Sequence, residues 1–284
     1  MSSPIIITGM HRSGTSLVAE LLNKAGLYMG EVLDINYESP PVTFCNERLM
    51  MDYAACWDNP LTFKLGIQVK ENAETSARKL HALFGGVSVQ QNILADQFSA
   101  IHHIDKFGKT WGMKDPRFIY TLPLWQHQYP EMKVIHIHRH GVDVAQSLSV
   151  RAQEAFQTYL NAYQLADIPA TTRIQLGPIQ HSLRCTMLEG ALSLWEEYES
   201  TRKALIETTD LPHHVLCYEE LVADPAKHID ALLAFCELEV TDETKQELAS
   251  IPKTDSQLKY MQSKDLQSFA QNHADLLKSY GYAA

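Results

Sequence analysis

"ITGMHRSGTSLV", residues 7–18, is the stretch whose reading decides the fold. It has the outline of a phosphate-binding loop, G-x-x-x-x-G-K-[ST], in which backbone N–H groups and a helix N-terminus hold an anion. Gly9, Gly14 and Ser16 fall on that pattern, but Thr15 stands where the nucleoside-triphosphate loop has its lysine. The nearest cation is Arg12, inside the loop. Ahead of it, Pro4 to Thr8 is a short β-branched run, the type of a buried strand. Behind it, over Ser13 to Ala25, Leu17, Val18, Leu21, Leu22 and Ala25 make one helical stripe that Gly26 ends. A strand, a loop and a helix in that order are the context an anion loop requires. Ser13, Thr15 and Ser16 add hydroxyl donors.

Outward from the loop, strands and helices alternate. "TWGMKDP" (110–116) predicts a second strand with a polar tip, and "FIYTLPLWQHQYP" a helix in spite of Pro123. "KVIHIHR" (133–139) is a buried strand, followed at once by the helical "GVDVAQSLSVRAQ". A long helix is expected over about 183–208, and "HHVLCYEEL" (213–221) as a further strand with a polar end. Residues 30–62 read as irregular, broken by "ESPPVTF" and "WDNP"; residues 66–106 read as helices broken at Gly85-Gly86. Residues 167–182 read as loop, and the stretch after 221 as mostly helical. The pattern predicts an α/β fold over residues 1–284 as a single domain: a P-loop-type parallel sheet with helices on both faces. The polar tips of all four strands then share the carboxyl edge, where such sheets bind ligands.

The chain has 284 residues, 45% of them apolar, and a net charge of −10. That balance argues against nucleic acid as a partner. Five scattered cysteines without a C-x-x-C pair imply a reducing, cytoplasmic setting. The apolar run at the start is too short for a signal peptide or anchor, and no stretch reaches the ~18 apolar residues of a membrane span. His136 and His138 alternate with Ile135 and Ile137 and so share a strand face. No carboxylate or cysteine spacing completes a ligand set around these or around His102, His103 and His140, so they read as core or edge histidines and no metal is expected.

Together these stretches resemble one family, the sulfotransferases that use 3′-phosphoadenosine 5′-phosphosulfate (PAPS). "RSGTSLVAELL" resembles their 5′-phosphosulfate loop, and "VIHIHRHGVDVAQSL" is similar to their 3′-phosphate motif, an arginine followed by a serine at this spacing, here Arg139 and Ser147. "VLCYEELVADP" resembles the strand that carries a nucleotide-contacting tyrosine, here Tyr218; "WGMKDPR" followed by "LPLW" looks like a segment of the bacterial, soluble branch. The resemblance runs from residue 4 to about 225. It implies the sulfotransferase fold, PAPS as co-substrate, and in-line transfer of its sulfuryl group to a hydroxyl or amine of a small-molecule, carbohydrate or lipid acceptor. On this resemblance Arg12, Ser13, Gly14, Thr15 and Ser16 hold the phosphosulfate, Arg139 and Ser147 the 3′-phosphate, and Lys114 approaches the group in transit. Two carboxylates compete as base. Asp115 stands on a strand tip, but Lys114 beside it lowers its basicity; Glu31 lies in a segment able to close over the site, and the preference falls on Glu31. Arg117 would orient either one.

There are departures from the family. Leu17 stands where cytosolic animal members stack adenine on a tryptophan, which leaves Tyr218 or Trp57 for that contact. The basic glycine motif near the C-terminus is missing; "IPKTDSQLKYM", with Lys253 and Lys259, stands in its place. The acceptor pocket is expected from residues 30–62 and 150–182. A nucleotide or nucleoside kinase would share the strand–loop–helix, but it would need a lysine at position 15 and a Mg²⁺-binding aspartate after a hydrophobic strand. A non-catalytic nucleotide-binding module would not need Lys114 beside a carboxylate.

Overall fold

A computed structural model describes residues 3–165, 183–253 and 257–284. Four strands, β1 (Ile5–Gly9), β2 (Gly112–Lys114), β3 (Lys133–His138) and β4 (His213–Cys217), form one sheet in the order β2-β1-β3-β4. Every neighbouring pair is parallel, with Ile7 opposite both Lys114 and Ile135. The helices are α1 (Thr15–Lys24), α2 (Pro40–Met51), α3 (Leu61–Gly66), α4 (Lys70–Phe84), α5 (Val87–Leu94), α6 (Phe98–Ile101), α7 (Phe118–Gln128), α8 (Gly141–Leu165) and α9 (Leu188–Thr208). After β4 come α10 (Tyr218–Ala223), α11 (Pro225–Cys236), α12 (Asp242–Ala249), α13 (Lys264–Asn272) and α14 (Ala274–Ser279).

Strand alternation sorts the core into two layers. Ile6 and Val134 pack with the side chains of α2, α4, α7, α8 and α9, including Trp125 and Trp195. Ile5, Ile7, Ile135 and Ile137 pack on the opposite face with Leu21 and Leu22 of α1 and Leu232 and Leu233 of α11. The fold is thus α/β, a parallel sheet covered on both faces, which is why the central strand β1 is one continuous buried run. No helix among the described residues is long and apolar enough to cross a membrane.

Three expectations change. Residues 30–62 are not irregular throughout: α2 begins within "ESPPVTF". Pro40 and Pro41 occupy its first turn, where a missing N–H costs nothing, so they open a helix rather than break one. "YEEL" is not the end of a strand; β4 stops at Cys217 and Tyr218 begins α10. The helix after β3 runs on to Leu165, well past Gln153. The loop expected at 167–182 lies outside the described residues. His136 and His138 do share a face: His136 Nε2 meets His213 Nδ1 at 3.0 Å and His138 Nδ1 meets the Tyr282 hydroxyl. Among the described residues no group of three or more His, Cys, Asp or Glu could hold a metal ion.

Candidate functional site

The carboxyl ends of all four strands open on one cleft of about 340 Å³, lined among others by Arg12, Lys114, Arg139 and Tyr218. The volume falls in the ordinary range for small-ligand pockets. The first wall is the turn between β1 and α1. Two glycines make the turn possible. A Cβ on Gly9 would stand 2.2 Å from the Ile137 carbonyl oxygen, and one on Gly14, at φ 102°, would stand 2.4 Å from the Tyr218 ring. Arg12 holds a left-handed backbone at φ 70° without being glycine. Such strain persists only where the surroundings impose it and often marks a functional position. The leading N–H groups of α1 have no intrahelical acceptor. They belong to Gly14, Thr15, Ser16 and Leu17, all of which line the cleft, and the helix dipole adds positive potential there.

The predicted loop residues do not all face the cleft. The Ser13 hydroxyl points inward, donating to Met10 O at 2.6 Å and Ile137 O at 3.3 Å, and so ties the turn to β3. Arg12 Nε donates to Ser147 Oγ at 2.8 Å, bringing the loop cation onto α8. Arg139 lies over the Tyr218 ring at 4.5 Å and pairs with Asp143 at 2.9 Å. Trp57 does not line this cleft, whereas Tyr218 does. Lys253 and Lys259 do not line it either.

Lys114, at the end of β2, is buried yet reaches the cleft. Its Nζ donates to Ser16 Oγ at 3.3 Å and to Glu38 Oε1 at 2.6 Å. Glu38 is the carboxylate that sequence reasoning missed. A compact turn delivers it: Asp34 Oδ1 accepts the N–H groups of Asn36 and Glu38, both at 2.8 Å. The available signal was the Asp34 turn followed by Ser39 at the N-cap position and Pro40-Pro41 at a helix start. Burial pushes the Glu38 carboxyl above the usual range, against the pull of Lys114.

The two carboxylates named from sequence stand elsewhere. Glu31 is exposed; its N–H donates to Ile93 O, and its carboxylate meets the Tyr28 hydroxyl at 3.5 Å. It lines neither the cleft nor the cavity beside it. Asp115 is fully buried and accepts from Asn46 Nδ2 at 3.0 Å and from Arg117 Nε at 3.0 and 3.1 Å. Asn46 Oδ1 in turn accepts from Thr121 and Trp125, both at 2.8 Å. This network fastens α2 to β2 and α7, and its acceptors are spent on structure.

A second cavity, about 460 Å³, adjoins the first and shares His11, Glu38 and Arg151 with it. Its further walls include Met50, Met51, Ala55 and Trp57, from α2 and the turn beyond it. Glu38 therefore stands where the sheet-edge cleft and a half-apolar cavity meet.

Residues 4–242 match the family model described as Sulfotransferase family, and the chain belongs to that family. Among solved structures it is similar to the sulfotransferase domain of the olefin synthase of Synechococcus PCC 7002: 17% identity, TM-score 0.50, covering 100% of this chain and 97% of that one. It is similar also to the sulfotransferase domain from the curacin biosynthetic pathway: 16% identity, TM-score 0.50, with 96% and 97% covered. At such identities the likeness concerns the fold. No curated protein matches the chain.

Proposed function

We propose that this member of the sulfotransferase family transfers the sulfuryl group of PAPS from the sheet-edge cleft to a hydroxyl or amine of an acceptor in the adjoining cavity, with Glu38 as the general base. The observation that carries the reading is the meeting of the two cavities at the Lys114–Glu38 pair. The loop backbone, Thr15 and Ser16 would hold the 5′-phosphosulfate. Arg12 and Lys114 would bear on the oxygens where charge develops, work that fixed cations do without a metal. Arg139, Ser147 and Tyr218 would hold the 3′-phosphate and the nucleotide. Glu38 takes the acceptor proton as the acceptor oxygen or nitrogen bonds to sulfur; the bond from sulfur to the phosphate oxygen breaks, and 3′-phosphoadenosine 5′-phosphate (PAP) leaves. Its raised pKa suits a base better than an ordinary carboxylate does. Glu31 and Asp115 give up the role assigned to them from sequence. Asp115 keeps a positioning one, through Arg117 and Asn46. The five free cysteines fit a reducing compartment, and we place the reaction in the cytoplasm.

Thermal unfolding with nucleotides tests the donor. PAP should stabilise the fold far more than AMP, because the 3′-phosphate contact, worth ~1.5–3 kcal/mol, separates the two by at least ~10-fold in affinity. Equal shifts would overturn the assignment. Greater stabilisation by Mg-ATP than by PAP would point to a kinase.

A further inference from the structure

We infer that Arg151 recognises an anionic group on the acceptor, so that the second cavity takes a molecule bearing a carboxylate, sulfate or phosphate besides the hydroxyl or amine that is sulfated. The inference rests on the donor and acceptor reading given above. Arg151 lies on α8 one turn beyond Ser147, hence on the same helix face, and it lines both cavities. Its guanidinium lies over the Trp57 ring at 4.9 Å, and Trp57 is packed against His11 at 4.5 Å. A guanidinium lying over an indole face can keep its N–H edge free for a planar or tetrahedral oxyanion.

The other charges of the cavity are already engaged. Asp34 caps its own turn, Glu38 pairs with Lys114, and Glu47 faces Arg117 at 3.8 Å. Arg117 is held in turn by Asp115. Among the described residues Arg151 forms no ion pair with any carboxylate, Asp58 pulling on it only at longer range; it rests on the Trp57 face. Burial and the neighbouring Arg12 push the Arg151 pKa below its ordinary value, so the charge is desolvated beside a like charge. An oxyanion would relieve both costs. On that reading the donor does not need this cation, because Arg12, Arg139 and the loop would hold its phosphates. Met50, Met51 and Ala55 offer the rest of the acceptor an apolar bed.

The test is isothermal titration of PAP-saturated protein with 4-hydroxyphenylacetate and with 4-hydroxyphenylacetamide, nearly the same in shape but only the first carrying a negative charge. The wild type should prefer the acid by at least ~10-fold, as a charge-assisted contact predicts. Arg151→Met should erase that preference and leave PAP affinity within about threefold, and Arg151→Lys should keep part of it. Equal binding of acid and amide by the wild type, or binding of neither at millimolar concentration, would overturn the inference. So would loss of PAP affinity in Arg151→Met, which would assign the residue to the donor. Failure of the wild type to bind PAP at all is a separate result and would bring down the donor reading itself.

Discussion

Residues 9–18 and residues 34–57 face each other across Lys114, and they are held in place by different means. The first stretch hangs from the backbone of β1 and starts α1; its shape follows from two glycines, an inward serine and the carbonyl of Ile137 on β3. The second is anchored by side chains that reach far along the chain: Asn46 to Asp115, Thr121 and Trp125, and Glu38 to Lys114. A backbone-built wall suits a ligand that never changes, since main-chain N–H groups are insensitive to substitution. A side-chain-built wall can be remodelled by a few substitutions, which suits a partner that differs between relatives. It also leaves Ile35, Phe44 and Met51 largely exposed, Met51 on the wall of the second cavity.

The sharpest break in that comparison is at Glu38. Glu38→Gln should cost at least ~100-fold in transfer, the usual contribution of a positioned base, with PAP affinity kept. Glu31→Gln, by contrast, should remain close to wild type. A dead Glu31→Gln beside an active Glu38→Gln, assayed with PAPS and a validated acceptor, would show that the segment closes differently around the donor. Next comes the backbone-built wall. Arg12→Ala should lower turnover by ~10²–10³-fold while the unfolding midpoint holds, because an exposed loop side chain contributes little packing. Arg12→Lys should retain some activity, since the charge survives although the fork does not. Near-wild-type turnover in Arg12→Ala would leave the loop backbone and Lys114 as sufficient.

Asn46→Leu probes the other wall through its anchor. It leaves the Trp125 N–H and part of Asp115 unsatisfied in the core, at a cost of about 1–3 kcal/mol per buried group. Denaturant unfolding should show that loss, while PAP still protects the remaining fold. Abolished PAP binding in a folded variant would mean that the two walls are not independent. A last effect, read from pH rather than from activity, concerns β3. Burial first, then His213, Arg202 and His138, push the His136 pKa down to about 3. The unfolded chain, with an ordinary histidine, therefore binds the extra proton first. The stability contributed by neutral His136 is complete above pH ~6.5 and is lost as pH falls from there toward 3. The melting temperature should decline over that window, and His136→Gln should flatten the decline.

The walls of the sheet-edge cleft were legible from residues 4–18, 133–147 and 213–218 because their geometry is local: a strand end, a glycine turn and a helix start are neighbours along the chain. Lys114 was legible for the same reason. Glu38 was not. It stands in a stretch whose prolines signal a break as readily as a helix start, and nothing nearby in sequence shows that Lys114, 76 residues on, will face it. Glu31 is seven residues earlier in the same segment, within the uncertainty of placing a carboxylate on a turn whose path is unknown. Asp115 was read as a rival base because its place on a strand tip is visible in sequence, whereas the Asn46 and Arg117 contacts that occupy it are not.

The sequence by itself determined the parallel sheet, the glycine turn between β1 and α1 and the convergence of strand tips on one edge, because periodicity and turn chemistry act over a few residues. Only the tertiary structure decided which carboxylate stands at the junction of the two cavities, which hydroxyl turns inward and which arginine lines both cavities. Those choices depend on side chains brought together by packing across tens of residues, and a burial pattern alone does not say which of several polar groups meets which.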